Sequence, residues 1–270
     1  MHLQPRLSCP RLWTLVLLVG LGAPGLCQAQ IVNVSSLAGK AVKDGLSGSA
    51  TLSVNYQQGN TQLMLAAVGA TAFYRFCGNT FLLTADGAYG LNGPPGEWKS
   101  DPFRERTFEH LRYRRDVTEK VSWEGFVQHE YDRWRRLQLR ALAGTGPRFD
   151  LDLSKDSHLA IGVAYMAQLE ELLEPIDADP VGSHLEHRLS SYVSLSYKFN
   201  DRSAISGSGY FQPRLDAFSD LRALLDLALV VGITDQLGLT VTYLQSYDSA
   251  PPATVIGTEH KTTTGFTYAF

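Results

Sequence analysis

The stretch that decides the fold is Leu46-Ser47-Gly48-Ser49-Ala50-Thr51-Leu52-Ser53-Val54-Asn55-Tyr56-Gln57. Its even-numbered residues are apolar, small or aromatic, whereas its odd-numbered residues are all polar. Successive side chains of a strand point to opposite faces of the sheet, so a period of two indicates a β-strand. This stretch is therefore predicted to form a strand with one apolar face and one polar face.

The same alternation recurs along the chain and predicts twelve strands with no helix between them. The connections after even-numbered strands are tight, whereas three of the others, at 91–106, 170–183 and 248–259, are long and rich in Pro, Gly, Asp and Glu. An antiparallel sheet with short turns at one end and longer loops at the other is expected. The predicted strands run near 46–58, 61–76, 80–90, 107–116, 120–132, 136–150, 157–169, 184–199, 203–213, 221–234, 237–247 and 260–270.

Two architectures fit twelve alternating strands, and they differ in where the apolar face points. A soluble sandwich or barrel buries that face, whereas a membrane barrel turns it to lipid. Aromatic residues lie at both ends of the apolar stripes, as expected where rings meet the two bilayer interfaces. The polar faces carry many charges, which would each cost several kcal/mol in a dry core unless paired. We therefore predict an all-β protein, a transmembrane antiparallel β-barrel of 12 strands. A soluble secreted β-protein is the structural alternative.

The chain ends in Phe266-Thr267-Tyr268-Ala269-Phe270. Aromatic residues at Phe266, Tyr268 and the terminal Phe270 are similar to the C-terminal assembly signal of bacterial outer-membrane barrels. This similarity implies the barrel assembly machinery as a partner. An even number of strands places both termini at the short-turn end, which is periplasmic in such barrels.

Residues 1–29 have the features of a signal peptide. Arg6 and Arg11 precede an apolar run, and Cys27-Gln28-Ala29 forms a small-x-small cleavage pattern. Residues 30–45 are expected to form a periplasmic lead-in and 46–270 the barrel. The chain has 24 basic and 27 acidic residues, and the signal removes two of the basic ones. A mildly acidic exported protein is a poor candidate for binding nucleic acid.

Several short motifs are similar to those of the salt-induced outer-membrane protein family. They are Gln30-Ile31-Val32-Asn33-Val34, Gly45-Leu46-Ser47-Gly48-Ser49-Ala50, Gly59-Asn60-Thr61, Gly144-Thr145-Gly146 and the C-terminal strand. The resemblance implies a barrel in the outer membrane of a Gram-negative bacterium and brings no catalytic residue, since the biochemical function of that family is unassigned. Pro147 stands where the family more often has an aromatic residue, and a bulge is expected there because proline cannot donate to a ladder.

The charged lumen is the best candidate for a functional site. Mixed arginine and carboxylate side chains can form a selective constriction for small anionic or zwitterionic solutes, or they can pair across a small barrel and fill it. We expect a structural barrel or a narrow passive diffusion channel, with a substrate-selective small-solute porin as the alternative. The candidate lining residues are Arg75, Asp86, Arg112, Arg114, Glu124, Glu130, Arg140, Glu186 and Arg188.

A membrane-embedded hydrolase is the further alternative, suggested by acidic residues next to histidines at Glu109-His110, His129-Glu130 and Glu186-His187. Adjacent strand residues point to opposite faces, so none of these neighbours can act together. No Ser/His/acid set is recognisable by spacing. We expect no enzyme activity, no catalytic residues and no cofactor. One cysteine remains beyond the signal, so no Cys-based metal site is expected.

Three arginines cluster around Trp134 at the loop end of the barrel. A guanidinium group binds phosphate in a bidentate manner, so lipopolysaccharide and the outer-membrane lipids are expected partners, and a solvated loop is the alternative. The candidates are Arg133, Arg135 and Arg136. We expect the barrel to be a monomer.

Overall fold

The computed structural model describes residues 44–177, 179 and 182–269. The predicted signal peptide, the lead-in up to residue 43 and Phe270 lie outside the described residues, as do the side chains of the last two described positions. No described helix is both long enough and apolar enough to cross a membrane. The strands are β1 Gly45–Gln57, β2 Gln62–Phe76, β3 Asn79–Gly93, β4 Arg104–Asp116, β5 Val121–Asp132, β6 Leu137–Asp152, β7 Ser157–Leu172, β8 His184–Asn200, β9 Ser203–Pro213, β10 Leu221–Gly232, β11 Leu237–Asp248 and β12 Thr258–Ala269.

The twelve strands form a closed antiparallel barrel in which each strand pairs with its neighbours in sequence. The ring closes between β1 and β12 through the register Ser49↔Ala269 and Ala50↔Tyr268. Closure satisfies the backbone groups of a sheet without leaving free edges, which is the requirement for a sheet in lipid. The prediction of an all-β antiparallel barrel with twelve strands is confirmed.

The alternating faces point as a membrane barrel requires. Leu52 and Val54 are outward-facing and 75% and 66% exposed, whereas Arg148 and Arg188 are inward-facing and 2% and 0% exposed. A soluble β-protein would show the opposite arrangement, with its charges outside and its leucines inside. The apolar outer wall and charged interior are the arrangement of transmembrane barrels.

The exposed aromatic residues form two belts on the outer wall. One belt lies near the short turns and the other near the long loops, so rings flank an aliphatic band as they do at the two interfaces of a bilayer. The turn-end belt includes Tyr74, Phe81, Tyr113, Trp123, Phe149, Tyr197 and Phe199, and the loop-end belt includes Tyr56, Tyr89, Trp134, Tyr165, Phe211 and Tyr247.

The bulge expected at Pro147 is absent, and that prediction was wrong. β5 and β6 keep one register from Val121↔Phe149 through Trp123↔Pro147 to Glu130↔Arg140. The irregularity lies instead between Glu130 and Asp132, where the strands approach their connection. A proline fits a paired strand where its nitrogen does not have to donate a ladder hydrogen bond.

Candidate functional site

A cavity of about 500 Å³ occupies the lumen. Its lining includes Thr80 and Arg114 near the short turns and Arg104 and Asp248 near the long loops, so it extends along most of the strand length. Apolar side chains such as Phe108 contribute to its wall beside the charges. The cavity therefore combines fixed charges with apolar surface, as small-molecule sites do.

Glu124 on β5 is the centre of a buried ionic cluster in the turn-end half of the lumen. Its carboxylate accepts a hydrogen bond from Arg112 Nη1 at 3.1 Å and one from Tyr192 Oη at 2.7 Å. Arg148 Nη1 lies 3.7 Å from the same carboxylate, and Arg148 Nη2 lies 2.9 Å from Asp150. Two guanidinium groups and a phenol thus satisfy one buried carboxylate, and the cluster narrows the lumen from β4, β5, β6 and β8.

Aromatic rings hold the Arg112 guanidinium in place. Its central carbon lies 5.2 Å from the Phe126 ring centroid and 5.5 Å from that of Tyr192, both within the range of cation–π attraction. These rings lie against glycines of the neighbouring strands. A Cβ at Gly144 would come within 2.3 Å of the Phe126 ring, and one at Gly162 within 2.1 Å of the Tyr192 ring. The glycines therefore provide the space in which the rings lie flat.

A second chain of ion pairs crosses the loop-end half of the lumen. Arg140 lies 3.2 Å from Glu130 and 3.0 Å from Glu170, and Glu170 lies 3.0 Å from Arg222. Arg222 in turn contacts Asp248 at 2.8 Å. Because positive and negative groups alternate along this chain, β5, β6, β7, β10 and β11 are joined by electrostatic attraction as well as by the backbone ladders.

The structure places the nine predicted lining residues in two groups. Asp86, Arg112, Arg114, Glu124, Glu130 and Arg140 line the cavity. Arg75 lies near the turns, where its Nη2 donates to Asp116 at 2.8 Å. Arg188 is buried beside Glu186 at 2.9 Å and Asp220 at 2.7 Å at the loop end. All nine belong to the inward face or its rims, and their role in solute passage stays a prediction.

Several important lining residues were missed by the sequence reasoning. Arg148 directly follows Pro147, which interrupts the expected pattern, and Tyr192 is an aromatic residue at an inward position, where a polar one is expected. Lys261 and Glu259 lie on β12, where both faces are polar near the loop end, so alternation does not separate them. Both residues are an even number of positions from the buried Thr267, so the two-residue period of the strand places them on the same inward face.

The three arginines predicted to contact lipopolysaccharide occupy different environments. Arg133 is the most exposed and lies 3.7 Å from Glu105, whereas Arg135 lies 3.3 Å from Glu130 at the mouth of the lumen. Arg136 is in the left-handed region with φ 53°. Among the three, Arg133 has the side chain most available to an external phosphate, and the lipopolysaccharide contact stays a prediction for all of them.

Arg136 belongs to a loop clamp, which we define as Arg136, Ile176, Asp179 and Ala253. Arg136 donates to Asp179 Oδ2 at 2.8 Å and to the Ala253 carbonyl at 2.8 Å. Asp179 also accepts the amide N–H groups of Ile176 at 2.9 Å and Ala253 at 2.8 Å. The amide of Ile176 and then those other donors hold the pKa of the Asp179 carboxyl below its usual value. The clamp joins three separate connections at the loop end.

The acid–histidine pairs of the structure differ from those adjacent in sequence. His129 Nδ1 lies 2.6 Å from Glu109 across β4 and β5, on the outer wall. The Glu109 carboxylate is the hydrogen-bond partner of that histidine among the described residues. No group of three metal-binding side chains occurs among the described residues. The arrangement supplies an acid and a base without a nucleophile beside them.

The sequence profile of a family described as "Protein of unknown function, DUF481" matches residues 50–270. The chain belongs to this family. The match spans β1 from Ala50 to the end of the chain, so the DUF481 region coincides with the barrel. No protein with a curated description matches the chain significantly.

Among solved structures, this DUF481 protein is similar to a NanC porin, with 8% identity and a TM-score of 0.48 over 83% of this chain and 98% of that one. It is similar to the KdgM porin, with 10% identity and a TM-score of 0.44 over 83% and 98%. The translocator domain of the autotransporter NalP from Neisseria meningitidis has 11% identity and a TM-score of 0.45 over 87% and 92%. No site residue or function is transferred from these proteins.

Proposed function

We propose that this chain is a bacterial outer-membrane β-barrel that acts as a narrow passive diffusion channel with a charged lumen. The single observation that carries the proposal is the cavity of about 500 Å³, which runs inside a barrel whose outer wall is apolar. Permeation would be set by the width of the lumen and by its fixed charges. The resemblance to salt-induced outer-membrane proteins, drawn from motifs such as Gly144-Thr145-Gly146, is part of this proposal.

The membrane location is supported by the surface of the barrel. The aliphatic band between the aromatic belts would be costly in water and favourable in lipid. We place both termini in the periplasm, since the short turns lie at the same end as residue 44 and Ala269. We propose a monomer, exported by residues 1–29 and assembled through its C-terminal strand.

A structural barrel is the second candidate, favoured by the two ionic clusters. Together they draw side chains from β4–β8, β10 and β11 into the lumen and reduce its open section. A small-solute porin with substrate preference is favoured instead by the apolar surface beside the arginines. Conductance separates the structural barrel from the diffusion channel and the porin, which both conduct.

The experiment uses the purified full-length protein in planar lipid bilayers, after heat-modifiable migration on a gel has established that the barrel is folded. Discrete conductance steps are expected, and the matched control is heat-unfolded protein in the same detergent. A folded barrel without conductance would leave the structural role in place of the channel. Quantitative recovery of the protein as a monomer without detergent would contradict the membrane location itself.

A further inference from the structure

The charges that line the cavity divide into a paired set and an unpaired set. Every charged lining residue from Asp86 to Arg148 has an opposite charge within 4.0 Å, as do Arg222 and Asp248. Three lining charges have no ion pair and no hydrogen bond with any other residue in the described part of the chain. They are Asp226 on β10 and Glu259 and Lys261 on β12. Lys261 is still attracted, beyond 4.0 Å, by Glu259 on the same face of β12 and by Asp86 on β3, whereas no charged group of the described chain acts on Asp226.

Two of these unpaired charges lie in one row across the sheet. Asp226 pairs with Leu244 on β11, and Leu244 pairs with Lys261 on β12. All three face the lumen and line the cavity. Two strand spacings of ~4.8 Å separate the two charged residues, which places their backbones about 10 Å apart. Their side chains therefore approach a small solute from neighbouring positions on one wall.

The cost of an unpaired charge makes this pattern informative. A carboxylate or ammonium group inside a narrow lumen loses hydration, and the rest of the lumen offsets that loss with ion pairs. Asp226 is half-buried and its strand neighbours on the inward face are Leu224 and Ala228. Its position leaves the carboxylate oxygens available to a hydrogen-bond donor that enters the cavity.

We propose that Asp226 and Lys261 are a selectivity pair that binds a small zwitterionic solute, with the ammonium group on Asp226 and the carboxylate on Lys261. The proposal rests on the proposed channel function and names its class of solute. Two charge-assisted hydrogen bonds of about 2.8 Å would bridge the solute between the two side chains. The intervening Leu244 and the adjacent Leu224 provide an apolar surface for its carbon skeleton. The opposite wall, formed by β4–β6, has its charges held in ion pairs and limits the space open to the solute.

The test compares glycine with its uncharged isomer glycolamide in swelling assays of phosphatidylcholine liposomes that contain the full-length protein. The wild-type ratio of the glycine rate to the glycolamide rate is expected to fall roughly threefold in Asp226→Asn and in Lys261→Met. That factor is the size expected for one unit charge about 5 Å away in a water-like, partly screened medium.

Reversal potentials under a salt gradient provide a second readout on the same proteins. Asp226→Asn is expected to shift the preference toward anions and Lys261→Met toward cations, since each removes one fixed charge. The double variant should restore the wild-type ion preference, because it removes one charge of each sign. Its ratio of the glycine rate to the glycolamide rate should stay as low as in the single variants. A single bulk-charge effect would not produce that combination.

The matched controls remove the same charges from short turns, outside the lumen. Lys155→Met and Asp235→Asn alter side chains that are 90% and 78% exposed, and neither is expected to change the ratio or the reversal potential. Heat-modifiable migration shows whether each variant is folded. Absent conductance in the wild type would defeat the channel proposal. Conductance with an unchanged ratio and unchanged reversal potentials in both lumen variants would overturn the selectivity pair alone.

Discussion

At the scale of single residues, Glu124 shows why a charged lumen can also be a stable one. Its side chain is 5% exposed and is satisfied by Arg112, Arg148 and Tyr192. Loss of one partner from a buried ionic cluster costs more than the pair itself contributes, because the remaining charges stay desolvated. The stability of the turn-end half of the barrel therefore depends on this carboxylate.

Glu124→Gln is expected to lower the free energy of unfolding by about 3 kcal/mol, since it leaves two arginines facing a neutral amide. The measurement is urea unfolding in detergent micelles, followed by tryptophan fluorescence. Glu119→Gln, in the exposed turn between β4 and β5, is the matched control and should change stability little. An equal loss in both variants would contradict a special role for Glu124.

The sequence predicts which residues face inward at this scale but not which of them are partners. Alternation places Arg112 and Glu124 on polar faces, and both line the cavity. The contact of Tyr192 with Glu124 joins residues 68 positions apart and depends on how the ring of strands closes. Gly144 and Gly162 have no side chain that could pack within their strands, and the sequence gives no reason for them. The structure shows that the rings of Phe126 and Tyr192 occupy the space above them.

At the scale of elements, strand alternation is the most reliable signal because one face meets apolar surroundings and the other meets water. β1 follows it throughout. β2 does so less clearly, since Phe73 is buried on the inward face together with Thr71. β12 carries polar residues on both faces near the loops, which is why Lys261 was missed. The prediction fails where the inward and outward faces have similar composition.

Connections were even less predictable, because their contacts are made between elements remote in sequence. The loop clamp joins residues on either side of β6–β7 to Ala253, between β11 and β12. Nothing in the local sequence of 133–136 or 249–257 indicates that they meet. These connections come into contact because the closed ring of strands brings them to the same end of the barrel.

The loop clamp is expected to open in acid. The folded pKa of Asp179 lies below its usual value of 3.8, so its stabilising contribution is present above that value and is lost as the pH falls through the folded pKa. Hydrogen exchange of the Ile176 and Ala253 amides, corrected for the intrinsic rate, should show protection at pH 7, at pH 5 and down to the ordinary carboxyl pKa of 3.8, and lose it only at lower pH, where the Asp179 carboxyl protonates.

Asp179→Ala should remove that protection at every pH, because the amides lose their acceptor. Asp177→Ala, two residues earlier in the same exposed connection, is the control and should leave both amides protected. Protection that survives in Asp179→Ala would show that other contacts hold the three connections together.

At the scale of the whole molecule, the lumen has two unlike walls. The wall built from β4–β8 is closed by compensated ion pairs. On β10–β12, Arg222 and Asp248 continue the loop-end chain of ion pairs, whereas Asp226, Glu259 and Lys261 have no ion pair within 4.0 Å. Ring closure between β1 and β12 sets these walls opposite each other. The difference between the two walls depends on how the ring of strands closes, and neither strand composition nor net charge reveals it.

The proposed orientation of the barrel rests on the lengths of its connections. Long connections face the outside of the cell in bacterial barrels and short turns face the periplasm. An epitope inserted at Gly96, in the connection between β3 and β4, is expected to bind antibody on intact cells. The same epitope inserted at Lys155, in the turn between β6 and β7, should bind only after the outer membrane is permeabilised. Surface labelling at Lys155 with none at Gly96 would reverse the orientation, and the periplasmic position of both termini would be lost with it.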